Sequence, residues 1–150
     1  ILNWVKRLFY SQFSFMIQRI QSVWLAFAAA ASFAAIKFSF YSGTKADNTF
    51  AELNGQSHFL LLILGVATAL TALFALFLFK NRKLQMQLSL LGLLLQVGIL
   101  AFYFSRISDF TNGNFALTSL LSFAIPVFFL LAWLGIRKDE KLIKSMDRLR

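Results

Sequence analysis

The chain has 150 residues, of which 59% are hydrophobic and only 14% are charged, against about 25% charged residues in an ordinary soluble domain. Because so few charges could not cover so much apolar surface in water, the composition argues against a soluble protein and indicates an integral membrane protein. The chain has no cysteine, which excludes a disulfide framework and thiolate chemistry.

The N-terminal residues 1–15, ILNWVKRLFYSQFSF, are rich in aromatic side chains and carry two charges. Two interpretations stay open: an interfacial segment of the protein, or sequence upstream of the true start, which we then expect at Met16. The next stretch, MIQRIQSVWLAFAAAA, resembles a signal peptide in its small residues. Its apolar run, however, continues to Tyr41 and three further runs follow, so we predict a membrane span instead.

Four apolar runs follow one another from residue 22 to residue 136. Each run is long enough to cross a hydrocarbon core about 30 Å thick, and none alternates with a period of two. Because helices satisfy their own backbone groups in lipid, the predicted fold class is an all-α integral membrane four-helix bundle over residues 16–136. The predicted spans are residues 22–41, 58–79, 86–104 and 117–136.

The three connectors are predicted to be polar loops, and residues 105–116 include Asn112-Gly113, a pair typical of tight turns. Twelve of the fifteen Lys and Arg residues lie in the N-terminal segment, the connector 80–85 and the tail. The positive-inside rule therefore places both termini in the cytoplasm. Lipid headgroups, and no nucleic acid, are the expected counterpart of this charge. The headgroup-binding candidates are Arg19, Lys80, Arg82, Lys83, Arg137, Lys138, Lys141 and Lys144.

The tail, residues 137–150, is predicted to be a basic amphipathic cytoplasmic helix, with Leu142, Ile143, Met146 and Leu149 on one stripe. Two interpretations stay open for this helix. It could lie on the membrane surface, or it could dock onto a cytoplasmic partner.

Groups that could carry chemistry are sparse. His58 is the one histidine, and Glu52 is the one acid with which it could form a conceivable pair; no acid lies inside a predicted span. No clustered metal ligands and no phosphate-binding loop occur in the sequence. We therefore predict no enzyme, no cofactor and no metal, with catalysis on lipid headgroups through His58 and Glu52 as the least favoured hypothesis.

Polar and small residues inside the spans point to helix packing. Gln96 could line a polar pathway or donate a hydrogen bond to another helix, and Pro126 predicts a kink because it cannot donate to the Ser122 carbonyl. Small residues four apart let helices approach closely, either within the chain or against a partner. The helix-packing candidates are Gly65, Ala67, Thr71, Ala75, Gly92, Gln96 and Gly98.

Three stretches, MIQRIQSVWL, FKNRKLQMQLSLL and GIRKDEKLIKSMDRLR, combine with the four-span spacing to carry a resemblance. Over residues 16–150 the chain resembles an uncharacterised bacterial membrane-protein family known as domain of unknown function 4293. The resemblance implies an inner-membrane protein with no assigned activity and no catalytic residues to transfer. We expect a non-enzymatic accessory or scaffold subunit that binds a membrane-protein partner or a second copy of itself. The alternative is a small transporter or channel component that acts as an oligomer.

Overall fold

The protein is described by a computed structural model over residues 2–149, with the side chains of residues 10–19 outside the description. The chain is mostly helical, as predicted. The all-α class is wrong, however, because the two longer connectors form a small sheet. The elements are α1 (Leu2–Lys37), β1 (Ser39–Lys45), β2 (Phe50–Asn54), α2 (Phe59–Phe77), α3 (Arg82–Ile107), β3 (Phe110–Phe115) and α4 (Ser119–Arg148).

The helices α1 and α3 each pack against both α2 and α4. Their shared core joins alanines of α1 and α2, such as Ala28 and Ala72, to the larger Phe129 of α4. Small residues on two helices allow close approach, and one large ring fills the remaining space. All four helices are long and apolar enough to cross a membrane, over Ile20–Lys37, Phe59–Phe77, Arg82–Ile107 and Ser119–Arg148.

The three strands form an antiparallel sheet in the order β2-β1-β3, so β1 joins the two connectors. Aromatic side chains, which favour pleated, half-buried surfaces, fix this sheet on the helices. The Phe40 ring stacks on Tyr103 of α3 with 4.4 Å between ring centroids. The Thr118 hydroxyl, directly before α4, donates to the Ser39 carbonyl. We call this end of the molecule the sheet end and the opposite one the tail end.

The sheet changes the boundary of the first predicted span. The helix α1 ends at Lys37, whereas the prediction extended it to residue 41. Residues 39–41 belong to β1, where the Phe40 and Tyr41 side chains are buried in the aromatic cluster. An apolar run therefore continues across the junction although the backbone changes from helix to strand.

The Asn112-Gly113 turn prediction is wrong, because both residues lie inside β3. Gly113 is paired with Gly43 of β1, and Asn112 with Thr44. A Cβ atom on Gly43 would collide with the Asn112 carbonyl, so the glycine permits close approach of two strands here. The left-handed turn residue is Asn48, with φ 57°, between β1 and β2.

Three helices are longer than the predicted spans, and one of them, α1, begins at Leu2 instead of residue 22. The helix α3 begins at Arg82, four residues before the predicted span, and continues to Ile107. The helix α4 passes through Pro126 and runs without a break into the tail as far as Arg148. The tail is thus a continuation of α4, and its first turn is still packed inside the molecule, since Ile136 and Asp139 are buried.

Candidate functional site

Polar side chains cluster at three levels along the molecule, and the middle level is centred on Gln96. This side chain is buried, and its Nε2 atom donates to the Ser122 carbonyl of α4 at 3.1 Å. That carbonyl is the one that Pro126 leaves without a helical donor. The adjoining cavity, which Gln96 and Ser122 both line, is so narrow that it holds roughly one water molecule.

The second level lies at the tail end, where Asp139 is buried in α4. Its Oδ2 atom forms an ion pair with Nη2 of Arg82 at 3.3 Å. Gln85, one turn further along α3, donates to the Ala75 carbonyl in the last turn of α2 at 3.0 Å. Arg82, predicted to meet headgroups, is therefore 23% exposed and joins the start of α3 to the end of α4.

The other described headgroup candidates lie at the same tail end and are exposed. Two of them also make local contacts: Lys144 pairs with Glu140 at 3.2 Å, and the Arg137 guanidinium lies 5.1 Å from the Trp133 ring centroid. The side chain of Arg19 falls outside the described part of the chain. The exposed candidates are Lys80, Lys83, Arg137, Lys138, Lys141 and Lys144.

The helix-packing candidates divide into inward and outward positions. Gly92 lies under the Phe129 ring so closely that a Cβ atom would not fit, and Gly65 lies against Ile36. Ala75 and Gln96 are buried, whereas Ala67 and Thr71 are half-buried on α2. A Cβ atom on Gly98, by contrast, would meet nothing within 4 Å.

Gly98 belongs to a row of small exposed residues on α3. Ala101 and Ser105 follow it at spacings of three and four, so the three residues share one stripe of the helix. The Ser105 hydroxyl is satisfied within the helix by the Phe102 carbonyl at 2.8 Å. We call Gly98, Ala101 and Ser105 the α3 stripe; all three residues are small and exposed.

The third level is an open pocket at the sheet end with about 380 Å³ of atom-free space. We call it the sheet-end pocket. It brings together five ionisable side chains from the sheet, from the residue before α2 and from the end of α3. These side chains are Lys45, Glu52, His58, Arg106 and Asp109.

The groups in the sheet-end pocket are only partly paired. Arg106 reaches Asp109 at 3.5 Å, with both side chains well exposed. The Glu52 Oε2 atom accepts a hydrogen bond from the Ser39 hydroxyl at 2.7 Å. Within the described chain, the side chains of Lys45 and His58 form no hydrogen bond or ion pair, and no three metal-ligating side chains lie together.

Sequence reasoning identified Glu52 and His58 as a conceivable pair and missed the other three. Lys45 and Arg106 are distant in sequence, and the pairing of β1 with β3 is what brings their segments together. No local motif marks this convergence. The available signal was indirect: two of the three basic residues outside the strongly basic segments line this one pocket.

Comparison with known proteins gives one match. The family profile described as domain of unknown function (DUF4293) matches residues 17–149, which include α2, α3, α4 and all three strands. No curated protein and no solved structure matches the chain. The resemblance that the sequence motifs indicated is confirmed by this match.

Proposed function

Because this chain belongs to the DUF4293 family, which has no assigned function, its role must be argued from its own residues, and we propose that it is a non-enzymatic accessory or scaffold subunit of a membrane assembly. We place it in the bacterial inner membrane with both termini in the cytoplasm. The charge distribution supports this placement, since only Lys37, Lys45 and Arg106 belong to the sheet end.

The outward side chains of the helices support a location in lipid. Large apolar groups are exposed on three different helices, with Phe74 58%, Leu94 62% and Leu120 64% exposed. A soluble monomer rarely presents apolar surface on so many sides, whereas acyl chains would solvate it without cost. The lipid bilayer is therefore the first partner that we assign to this protein.

The α3 stripe is the observation that carries the proposed subunit role. Helices associate in lipid chiefly by close packing, and small residues on the contact face make that packing possible. Among the described residues, nothing lies within 4 Å of the position that a Cβ atom on Gly98 would take, so no described contact requires a glycine there. We infer that a helix of another subunit lies along the α3 stripe.

The test is site-specific photo-crosslinking in native membranes. A photoreactive amino acid replaces Ala101 in the α3 stripe, and in a separate chain it replaces the exposed Leu130 of α4. We expect a stoichiometric crosslinked partner from position 101, absent from position 130, which mass spectrometry then identifies. Gly98→Leu should abolish the crosslink because its side chain fills the contact face.

The matched control is Val127→Phe, which adds comparable bulk to an exposed position of α4. This variant should keep the crosslink from position 101. A protein that extracts as a clean monomer and crosslinks only to lipid from position 101 contradicts the proposal. Equal loss of the crosslink in Gly98→Leu and Val127→Phe would also contradict an interface at the α3 stripe.

A further inference from the structure

The sheet-end pocket gathers charges of both signs where the apolar helices end. We propose that it binds the headgroup of an aminophospholipid, a phosphodiester that carries a primary ammonium group. This inference rests on the proposed membrane location, but it does not depend on the α3 stripe or on a protein partner.

The cationic part of the pocket suits the phosphate. The Lys45 ammonium has no polar partner in the described chain and lies 5.9 Å from the centroid of the Phe110 ring. The Arg106 guanidinium lies over Phe102 at 5.2 Å and keeps most of its N–H donors free for a ligand. His58 is the N-cap residue directly before α2, and its side chain makes no cap hydrogen bond. The positive end of the helix dipole therefore adds to the positive electrostatic potential of the pocket.

The anionic part of the pocket suits the ammonium group. Glu52 is hydrogen-bonded by Ser39 through one carboxylate oxygen and forms no ion pair within the described residues. Asp109 is 53% exposed and holds Arg106 only at 3.5 Å. A primary ammonium offers three N–H donors to these carboxylates, whereas a trimethylated ammonium offers none. The pocket should therefore prefer an ethanolamine headgroup to a choline headgroup.

Exposed apolar surface beside the pocket favours a lipid over a free solute. Directly after His58, the first residue of α2 is Phe59, which is 78% exposed. An acyl chain could lie along this ring while the headgroup enters the pocket.

The test uses the full-length protein in nanodiscs that contain phosphatidylethanolamine, phosphatidylcholine and phosphatidylglycerol in equal amounts. Native mass spectrometry then counts the lipids that remain bound after the disc is removed. We expect ethanolamine lipid to be retained about tenfold over choline lipid, the factor for one charge-assisted hydrogen bond. Glu52→Gln should remove most of this preference, because the carboxylate receives the ammonium group. Lys45→Ala should instead lower the retention of all three lipids, because each of them carries the phosphate.

The matched control is Lys37→Ala, because Lys37 is exposed at the sheet end but does not line the pocket. This variant should keep the preference. Equal retention of the three lipids by the unaltered protein overturns the proposal. A preference that survives Glu52→Gln, or lipid retention that Lys45→Ala leaves unchanged, overturns it as well. Thermal unfolding of each variant distinguishes a lost site from a lost fold.

A second experiment distinguishes a lipid headgroup from a soluble ligand that carries the same phosphate and ammonium groups. Free O-phosphoethanolamine is added to nanodiscs that lack ethanolamine lipid, and the melting temperature is measured. Stabilisation equal to that by the lipid would assign the pocket to a soluble ligand and overturn the lipid assignment. Because nanodiscs expose both membrane faces and need no partner, a failed crosslink at the α3 stripe or a reversed topology would leave this result unchanged.

Discussion

The hydrogen bond between Gln96 and Ser122 shows how a single residue offsets a defect in another helix. Pro126 removes one backbone donor from the apolar part of α4, where no solvent can replace it. Gln96 of α3 supplies that donor at 3.1 Å from the Ser122 oxygen. The Gln96 side chain, which could have lined a transport path, is therefore engaged in a hydrogen bond that joins two helices.

A double-mutant cycle tests this bond. Gln96→Leu should lower the free energy of unfolding in mixed micelles by about 0.6–2 kcal/mol, since the Ser122 carbonyl then has no donor. In a Pro126→Ala background the same substitution should cost clearly less, because the restored N–H at position 126 can reach that carbonyl. Gln87→Leu, at an exposed glutamine of the same helix, is the control. Equal losses in both backgrounds would contradict the shared bond.

The sequence alone indicated both the unpaired Ser122 carbonyl and the Gln96 donor, but it did not indicate that the two groups bond to each other. The orphan carbonyl follows from Pro126, and an interhelical hydrogen bond was one of two predictions for Gln96. Their alignment depends on the axial register of α3 against α4, which the close contact of Gly92 with Phe129 helps to set. Register of this kind results from packing in three dimensions, and no local pattern encodes it.

Among the elements, the sheet is the one that sequence reasoning did not find. Its strands are short, and Phe40 and Tyr41 extend the apolar run of α1, so hydropathy assigns them to the helix. Their partners lie in a connector much later in the chain, and pairing over such a separation leaves no periodic signal. The four helices, in contrast, are strongly apolar local features, and their existence was predictable although their ends were not.

Engineered disulfides test the strand register, because the chain has no cysteine of its own. Ser42 and Asn114 are directly paired across β1 and β3, and paired Cα atoms in antiparallel strands lie about 4.5–5.5 Å apart. Ser42→Cys with Asn114→Cys should therefore cross-link fully under mild oxidation, as a mobility shift on gels reports.

The matched control shifts one partner by two residues along the same strand. Ser42→Cys with Asn112→Cys places the two Cα atoms diagonally, beyond the reach of an unstrained disulfide. Similar yields for the two pairs would mean that β1 and β3 lack a fixed register in the protein.

On the scale of the whole molecule, the two ends differ in chemistry. The sheet end combines few charges of both signs in one pocket, whereas the tail end carries many exposed cations and one buried ion pair. Composition and charge spacing predicted this asymmetry correctly in outline. They could not predict that Asp139 is buried with Arg82, because that burial follows from the uninterrupted continuation of α4 past the last apolar turn.

The proposed orientation is testable with single cysteines and a membrane-impermeant maleimide. Thr111→Cys at the exposed surface of β3 should react in cells whose outer membrane alone is permeabilised. Ser145→Cys in the tail should react only after the inner membrane is opened, because charge places the tail in the cytoplasm. The cysteine-free parent gives the background. Labelling of position 145 before position 111 would mean that the orientation is the reverse of the proposed one.

The central place of β1 in the sheet has a consequence for biogenesis. A ribosome delivers β1 and β2 early, and an isolated pair of strands is only marginally stable. The third strand follows only after α2 and α3 have been synthesised, and it leads directly into α4, whose start bonds back to Ser39 through Thr118. Until then one edge of β1 has no partner strand, so the sheet can be completed only after the first three helices have been synthesised.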